Sequence, residues 1–530
     1  MLFTSYEFIG FILVLFALYY LIPTRHQWKL LLLFSYIFYF LANPAYLFFI
    51  AATTAVVYTA AFFIAKINLQ QKEYLHENKD ILSSDEKRDF RAGVKKKKQK
   101  WLFFALFISL GILAVTKYTN FTIVNINAIL RTSGNENQLA LLGIIIPLGI
   151  SFYTFQAVSY LLDVYRGTVE AERNPFRFAL FVSFFPQLIQ GPISRFADLS
   201  KTLFAPQVFD WHKVSFGLQR ILWGFFKKLV IADRILVIFN VLIADSEKYS
   251  GAYVLVTMLL YAALLYADFT GGIDITIGIA QTLGIKVAEN FHRPYFSKSV
   301  KEYWRRWHMS MGTWFADYLF YPLTASKPFL RLSKWSRKRL GRRVGKRVPI
   351  YLATFIVWFT TGLWHGASWN FIVWGLANWF VIIVSQEFEP FYEYFHRHWK
   401  IKEQVLFKVF QVVRTVLIMS LIRSFDFYRD VPLTFRMWGT MFTEGNWRVI
   451  SDGSLLEMGL DGADFVVLLI AIIIVTLASL RQRKAPLREQ IAALPYWFRF
   501  GIWYGLFLIV LIFGAYGVGY DAAQFIYNQF

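Results

Sequence analysis

Cysteine is absent from all 530 residues. That excludes disulfides, a catalytic thiol, thiolate zinc or iron–sulfur ligation, and palmitoylation through cysteine. Charge is scarce as well: 17% of residues are charged, where a soluble chain carries about 25%. No P-loop, Gly-x-Gly-x-x-Gly, His-Glu-x-x-His or Gly-x-Ser-x-Gly segment occurs, so ATP-driven, dinucleotide-dependent, zinc-hydrolase and serine-elbow chemistries have no support. Internal repeats and Gly/Ser- or Pro-rich linkers are also missing. What is abundant is apolar and aromatic surface, at 57% and 19% of residues, with a mean hydropathy of +0.43. These values describe an integral membrane protein. The net charge of +22 reads as lysine and arginine collected in cytosolic loops that face anionic lipid, and no nucleic-acid partner is expected.

A crossing helix needs about 20 apolar residues, or fewer with snorkelling flanks. Candidates fall at 5–22, 29–42, 45–65, 101–117, 140–162, 252–268, 350–365, 368–386, 405–422, 465–480 and 498–517. A twelfth, 216–244, is interrupted by Arg220, Lys227, Lys228, Asp233 and Arg234. Segment 178–192 holds Pro186, Gly191 and Pro192 and reads as a re-entrant hairpin. The expected fold is an all-α polytopic membrane protein with 11–12 transmembrane helices plus re-entrant and interfacial helices. One membrane-embedded domain is expected over 1–530. The first segment lacks a basic leader and a small-residue cleavage site, so it reads as a retained helix.

Residues 66–100 carry eleven Lys/Arg and six acids and are expected to be a cytosolic basic insert. Residues 327–347 carry ten cations, no acid and interspersed Phe329, Leu330, Leu332, Trp335, Leu340 and Val344, the pattern of a helix lying on the inner leaflet. The 423–464 stretch has four Lys/Arg against seven acids and reads as an external loop, as does 118–139. This map places the protein in the cell membrane as a multi-pass chain with both termini outside.

A polar residue at membrane depth is a functional hypothesis. Two histidines stand apart. His365 lies in TGLWHGASWN, at the junction of two helices with no charge from Tyr351 to Ser385. Gly362 and Gly366 permit close backbone approach, Trp364 and Trp369 give an apolar wall, and Asn370 adds an amide. A neutral imidazole there suits a general base. His308, in WRRWHMS, follows Trp304, Arg305 and Arg306. Two histidines without a third ligand make no metal site. One base for a hydroxyl proton, with donors for an oxyanion, fits acyl transfer.

Tyr303–Tyr321, YWRRWHMSMGTWFADYLFY, and Thr361–Phe371, TGLWHGASWNF, together resemble the membrane-bound O-acyltransferase family. The similarity extends to IPLGISFYTFQAVSYLLDVYRG at 146–167, FFPQLIQGPISRF at 184–196 and DFTGGIDITIGIAQTLGIKVAENFHRPY at 268–295. It covers roughly residues 1–425 and is strongest to the branch that O-acetylates polysaccharides such as alginate. The resemblance implies a central pore, with His365 and His308 as catalytic residues. Arg305 and Arg306 would meet an anionic donor at the inner face, and Asp317 would be the acid after the second motif. Ala316 replaces the family's arginine, and Thr270, Gly272 and Ile273 depart from its pattern. Asp268 and Asp274 remain and are expected to brace helices. The implied reaction moves an acyl group, expected to be acetyl, from acetyl-CoA or an acyl carrier protein to a hydroxyl of an exported polysaccharide, directly or through an SGNH-type relay protein. No permanently bound cofactor is implied. A lipid, protein or teichoic-acid-type acyltransferase is the alternative. From another class, a transporter or flippase also fits a bundle with buried polar groups.

Overall fold

The computed structural model describes residues 5–135, 137–399 and 404–516, which are helical with no strand among them. The residues before Ser5 and the C-terminal end, whose sides of the membrane were expected above, lie outside that range. Two compact units are distinguished, Met1–Val214 with Ala280–Ala288, and Ser215–Ile279 with Glu289–Phe530.

The first unit contains α1 (Tyr6–Leu21), α2 (Gln27–Ala42), α3 (Tyr46–Glu77), α4 (Ser84–Thr132), α5 (Ile150–Arg166), α6 (Pro175–Ser183), α7 (Phe185–Gln190) and α8 (Phe196–Leu203). Both α3 and α4 outrun the bilayer. The 49 residues of α4 extend roughly 74 Å at 1.5 Å per residue. The basic insert is therefore two helical extensions and a tip, with Ser83 and Glu86 forming a reciprocal cap at the start of α4. Trp101 stacks on Phe63 at 4.3 Å, and Lys98 donates to Asn68 at 2.8 Å.

Two expectations fail here. The 118–139 loop is mostly helix, because α4 runs on to Thr132. The apolar stretch before Gly149 is not helical. Asn120 and Asn127 lie two turns apart on one face of α4. Each side-chain amide both donates to and accepts from a backbone, that of Leu142 for Asn120 and that of Leu139 for Asn127, all at 2.8–2.9 Å. The peptide groups of Leu139 and Leu142 are thus paired with α4 side chains instead of with a helix of their own. Gly149 then adopts φ 68°, where a Cβ would overlap the Leu188 carbonyl. The 178–192 segment is broken as expected. It forms α6 and α7 around Phe184, followed by extended residues up to Arg195.

In the second unit, α9 (Trp211–Phe225) passes through a π-helical turn at Phe226–Ala232 into α10 (Asp233–Ala244). Three of the charges that seemed to break 216–244, Arg220, Lys227 and Lys228, are paired with α11 (Ala252–Thr282). Arg220 and Lys227 reach Asp274 at 2.9 and 2.6 Å, and Lys228 lies between Asp268 at 2.8 Å and Asp233 at 2.7 Å. The π turn places Lys227 and Lys228 side by side on the face that meets α11. Gly224 and Gly271 let the two backbones approach within what a side chain would occupy.

There follow the short α12 (Val300–Arg306), α13 (Met309–Phe315) and α14 (Tyr321–Thr324), then the basic α15 (Lys327–Gly345). Gly341, at φ 75°, kinks α15 so that the Ser336 hydroxyl reaches the Gly345 carbonyl at 2.6 Å. Trp335, Leu340 and Val344 stay exposed among its cations. Next come α16 (Val348–His365), α17 (Trp369–Glu387), α18 (Glu389–Trp399) and α19 (Val405–Tyr428). The unit closes with α20 (Val431–Thr443), α21 (Gly462–Arg481), α22 (Leu487–Ala492) and α23 (Tyr496–Phe513). The expected external loop therefore does not start at 423. The helix continues to Tyr428, and residues 423–427 are buried. Eight of the described helices, α3, α4, α11, α16, α17, α19, α21 and α23, are long and apolar enough to cross a membrane.

Candidate active site

α12 ends at Arg306, and the chain turns through Trp307 into His308, whose φ of 48° is left-handed. Such a backbone costs a non-glycine residue of order 1 kcal/mol and persists where its surroundings over-determine it. Asn290 does so here. Its backbone carbonyl accepts from Met309 N at 2.9 Å. Its side-chain oxygen accepts from Ser310 N at 3.1 Å and the Ser310 hydroxyl at 2.8 Å, and lies 3.2 Å from His308 Nδ1. The Ser310 N–H can only donate, which fixes the amide with oxygen inward. His308 Nδ1 then carries the proton, and Nε2 is left as the basic nitrogen. The ring is 1% exposed. It stands edge-on to Phe269 at 5.1 Å and 6.1 Å from Trp364. His308 lies between short helices, outside the eight apolar spans. Burial, followed by the nearby Arg423 charge, pushes its imidazolium down to about 3, so it is neutral at physiological pH.

His365 is the last residue of α16 and is buried. α16 and α17 cross closely because Gly362 faces the Phe371 carbonyl and Gly375 faces that of Trp358, where any Cβ would collide. The chain turns at Gly366 with its α-carbon against the Phe371 ring. This crossing sets the His365 ring against Trp374 at 4.6 Å, Trp364 at 5.2 Å and Phe371 at 6.4 Å. Trp364 thus stands next to both histidines. A small cavity in the same unit is lined by Leu265, Phe269, Trp307, His365, Phe371, Arg423 and Asp426. A larger apolar cavity of about 230 Å³, bordered by Ala262, Tyr266, Arg293, Val416 and Ser479, contains neither histidine.

The other expected residues divide. Trp304 donates from Nε1 to Asn378 at 2.9 Å and packs on Trp358 and on Trp374, the ring that His365 also contacts. Asn370 accepts from the Ser368 hydroxyl and donates to the Phe425 carbonyl at 2.9 Å, so it holds α19 to α17. Asp268 and Asp274 join α11 to the 220–233 region as described. Three of the expected residues stand away from the cavity. Arg305 is exposed, since α12 turns it away from the fold. Arg306 is engaged by Glu302 at 2.6 Å. Asp317 is exposed on the π-helical turn Ala316–Phe320 and does not line the cavity.

Two residues were missed. Asn290 lies within a quoted segment but carried no signal of its own. Arg423 was assigned to a loop. Its Nη1 donates to Asp426 at 2.9 Å, and its guanidinium faces the rings of Trp307, Trp374 and Trp304 at 5.1, 5.3 and 5.5 Å. The i, i+3 opposite charges within SLIRSFDF, an otherwise helical pattern, were the available clue.

A scan against family models matches residues 172–337 to MBOAT, the membrane-bound O-acyltransferase family. Among curated proteins, the chain is 33% identical over 492 residues to "Probable alginate O-acetylase AlgI" of Azotobacter vinelandii, covering 91% of this chain and 85% of that one. It is 31% identical over 325 residues to "Peptidoglycan O-acetyltransferase" of Helicobacter pylori, at 56% and 58% coverage. To "Teichoic acid D-alanyltransferase" of Bacillus subtilis it is 30% identical over 239 residues, at 44% and 56%.

Proposed function

The chain belongs to the membrane-bound O-acyltransferase family, and on that premise we propose that it moves an acetyl group from a cytosolic thioester to a hydroxyl of an exported cell-surface polysaccharide. It is a multi-pass membrane enzyme, and family membership sets aside the transporter reading. The observation that carries the proposal is the cavity wall formed by His365, with Trp364 in ring contact with both His365 and His308.

His365 takes the proton of the acceptor hydroxyl as its oxygen adds to the thioester carbonyl carbon. The tetrahedral intermediate collapses as the C–S bond breaks, and the thiolate leaves with the proton returned by His365. His308, neutral and held in one tautomer by Asn290, orients the acyl group on the donor side. The donor is acetyl-CoA or an acetylated carrier protein arriving at the cytosolic face. The acceptor is either the glycan or the serine of an SGNH-type relay protein outside. Similarity to the alginate protein over most of both chains, against less than half of this chain for the D-alanyltransferase, supports acetyl over D-alanyl and polysaccharide over teichoic acid.

The test is purified protein in proteoliposomes given acetyl-CoA or acetylated carrier protein outside and polymer inside, in both orientations, with and without a relay protein. Release of free thiol coupled to acetylation of the polymer is expected. No thiol release from any acyl thioester overturns the proposal.

A further inference from the structure

Within the 215–530 unit, Arg220 and Arg423 are treated differently. Arg220 uses its whole fork, donating from Nε to Asp274 and from both terminal nitrogens to Glu289. A guanidinium that serves as a helix brace is expected to look like this, since every unused N–H out of water is costly. Arg423 is buried more deeply, at 7% exposed, yet only Nη1 has a charged acceptor, Asp426. Its Nε and Nη2 are buried without an acceptor in strict hydrogen-bond geometry, with the Tyr303 hydroxyl as the neutral group beside the guanidinium. Three tryptophan rings fix the plane of the group, from α12, the Trp307 turn and α17. Arg423 borders the same cavity as His365. A rigid cation with spare donors, next to a candidate base, is arranged for an anion that is present for only part of a reaction.

We propose that Arg423 is a catalytic residue whose guanidinium holds the carbonyl oxygen of the acyl group as it becomes an oxyanion. This rests on the acyl-transfer reading above. When the acceptor oxygen forms its bond to the thioester carbon, the C=O π pair moves onto the carbonyl oxygen. Arg423 receives that negative charge through N–H groups already in place, with no reorganisation during the step. As the C–S bond breaks, the oxyanion pair returns to the C=O bond, and the sulfur leaves with the C–S bonding pair and takes the proton from His365. Arg423 neither gains nor loses a proton. Asp426 keeps the guanidinium in position and limits the standing positive charge.

The experiment compares full-length variants in proteoliposomes by kcat and KM for the donor thioester, per folded molecule. Arg423→Lys keeps the charge, but Asp426 takes the single ammonium, so the cavity loses its donors. Its kcat should fall at least tenfold with KM within about threefold. A second variant, Arg423→Met with Asp426→Leu, removes the ion pair as a whole and leaves apolar side chains of similar bulk, an exchange buried pairs often tolerate. It should melt near the parent temperature and lose about 10²–10³ in kcat, the usual effect of deleting an oxyanion donor. Wild-type kcat in either variant overturns the inference, because Arg423 would then serve only to neutralise Asp426. If His365→Ala is inactive while both Arg423 variants are fully active, this inference alone falls. If the parent protein transfers no acyl group at all, the functional reading falls and takes this inference with it.

Discussion

The side-chain oxygen of Asn290 lies 3.2 Å from His308 Nδ1 and also holds the turn that follows the histidine. One amide therefore sets both the tautomer of the ring and the left-handed backbone that presents it. Asn290→Ala leaves buried donors on Ser310 and His308 unmet and should lower stability by about 1–3 kcal/mol, measured by thermal melting in detergent. Asn290→Asp would place an anion at the same spot and raise the proton affinity of His308. It should fold and show an altered acid limb in its activity–pH profile. An unchanged profile would argue that the 3.2 Å contact does not govern the ring.

For His365, replacement by Ala should reduce turnover by about 10²–10⁴ without loss of expression or melting temperature. Gln should do no better, since an amide cannot take the proton. Acetyl transfer near the parent rate in either variant would remove His365 from the base role.

His308 is expected to behave differently. His308→Asn keeps a hydrogen-bond donor and should lose less activity per folded molecule than His308→Ala, whereas at His365 Asn and Ala should be equally damaging. Specific activities of the four variants, normalised to folded protein, decide between an orienting role and a mere brace.

The burial of His308 also has a pH consequence. Its folded-state pKa, about 3, lies below the ordinary value of about 6.5. Under acid the unfolded chain takes up a proton that the folded chain refuses. The stability contributed is complete above pH 6.5 and is lost as pH falls toward 3, by at most about 1.4 kcal/mol per pH unit. The melting temperature of His308→Asn should therefore fall less than that of the parent between pH 7.5 and pH 5.5. Equal falls would show that His308 is already charged in the fold.

The loop map can be tested by chemistry in a chain with no cysteine of its own. Lys79→Cys, at the tip between α3 and α4, should resist an impermeant maleimide in intact cells. Ser451→Cys, after α20, should react. Both residues are exposed, so failure to label reflects sidedness rather than burial. Labelling at position 79 without permeabilisation would invert the map.

Much of this was legible from residues whose meaning is local. The uncharged run from Tyr351 to Ser385 with a single histidine at its centre, and the Gly362 and Gly366 spacing, announced a tight helical turn around His365. The long-range pairings were not legible. Composition made Lys227 and Lys228 look like a break, because nothing in a one-dimensional reading says that Asp268 and Asp274 will stand opposite them. Residues 140–149 are as apolar as a crossing helix, and only the placement of Asn120 and Asn127 two turns apart shows that Leu142 and the neighbouring Leu139 bond to side chains of α4. Arg423 escaped because an apolar count closes the helix where charges cluster, at Arg423, Asp426, Arg429 and Asp430, while three tryptophans distant in sequence make the first of those charges tolerable.

The pairing of Lys227 and Lys228 with α11 also constrains how the protein is made. A lysine offered to the centre of a bilayer on a lone helix costs roughly 2.5–3.5 kcal/mol at the translocon, and the π turn carries two of them. Asp268 and Asp274 leave the ribosome some forty residues later, by the numbering. Until they arrive, the stretch from α9 to α10 has only Asp233 to offset its cations. If the turn is offered to lipid, its integration depends on α11: truncation between Ala244 and Asp268 should leave the nascent segment unintegrated, a substrate for membrane quality control.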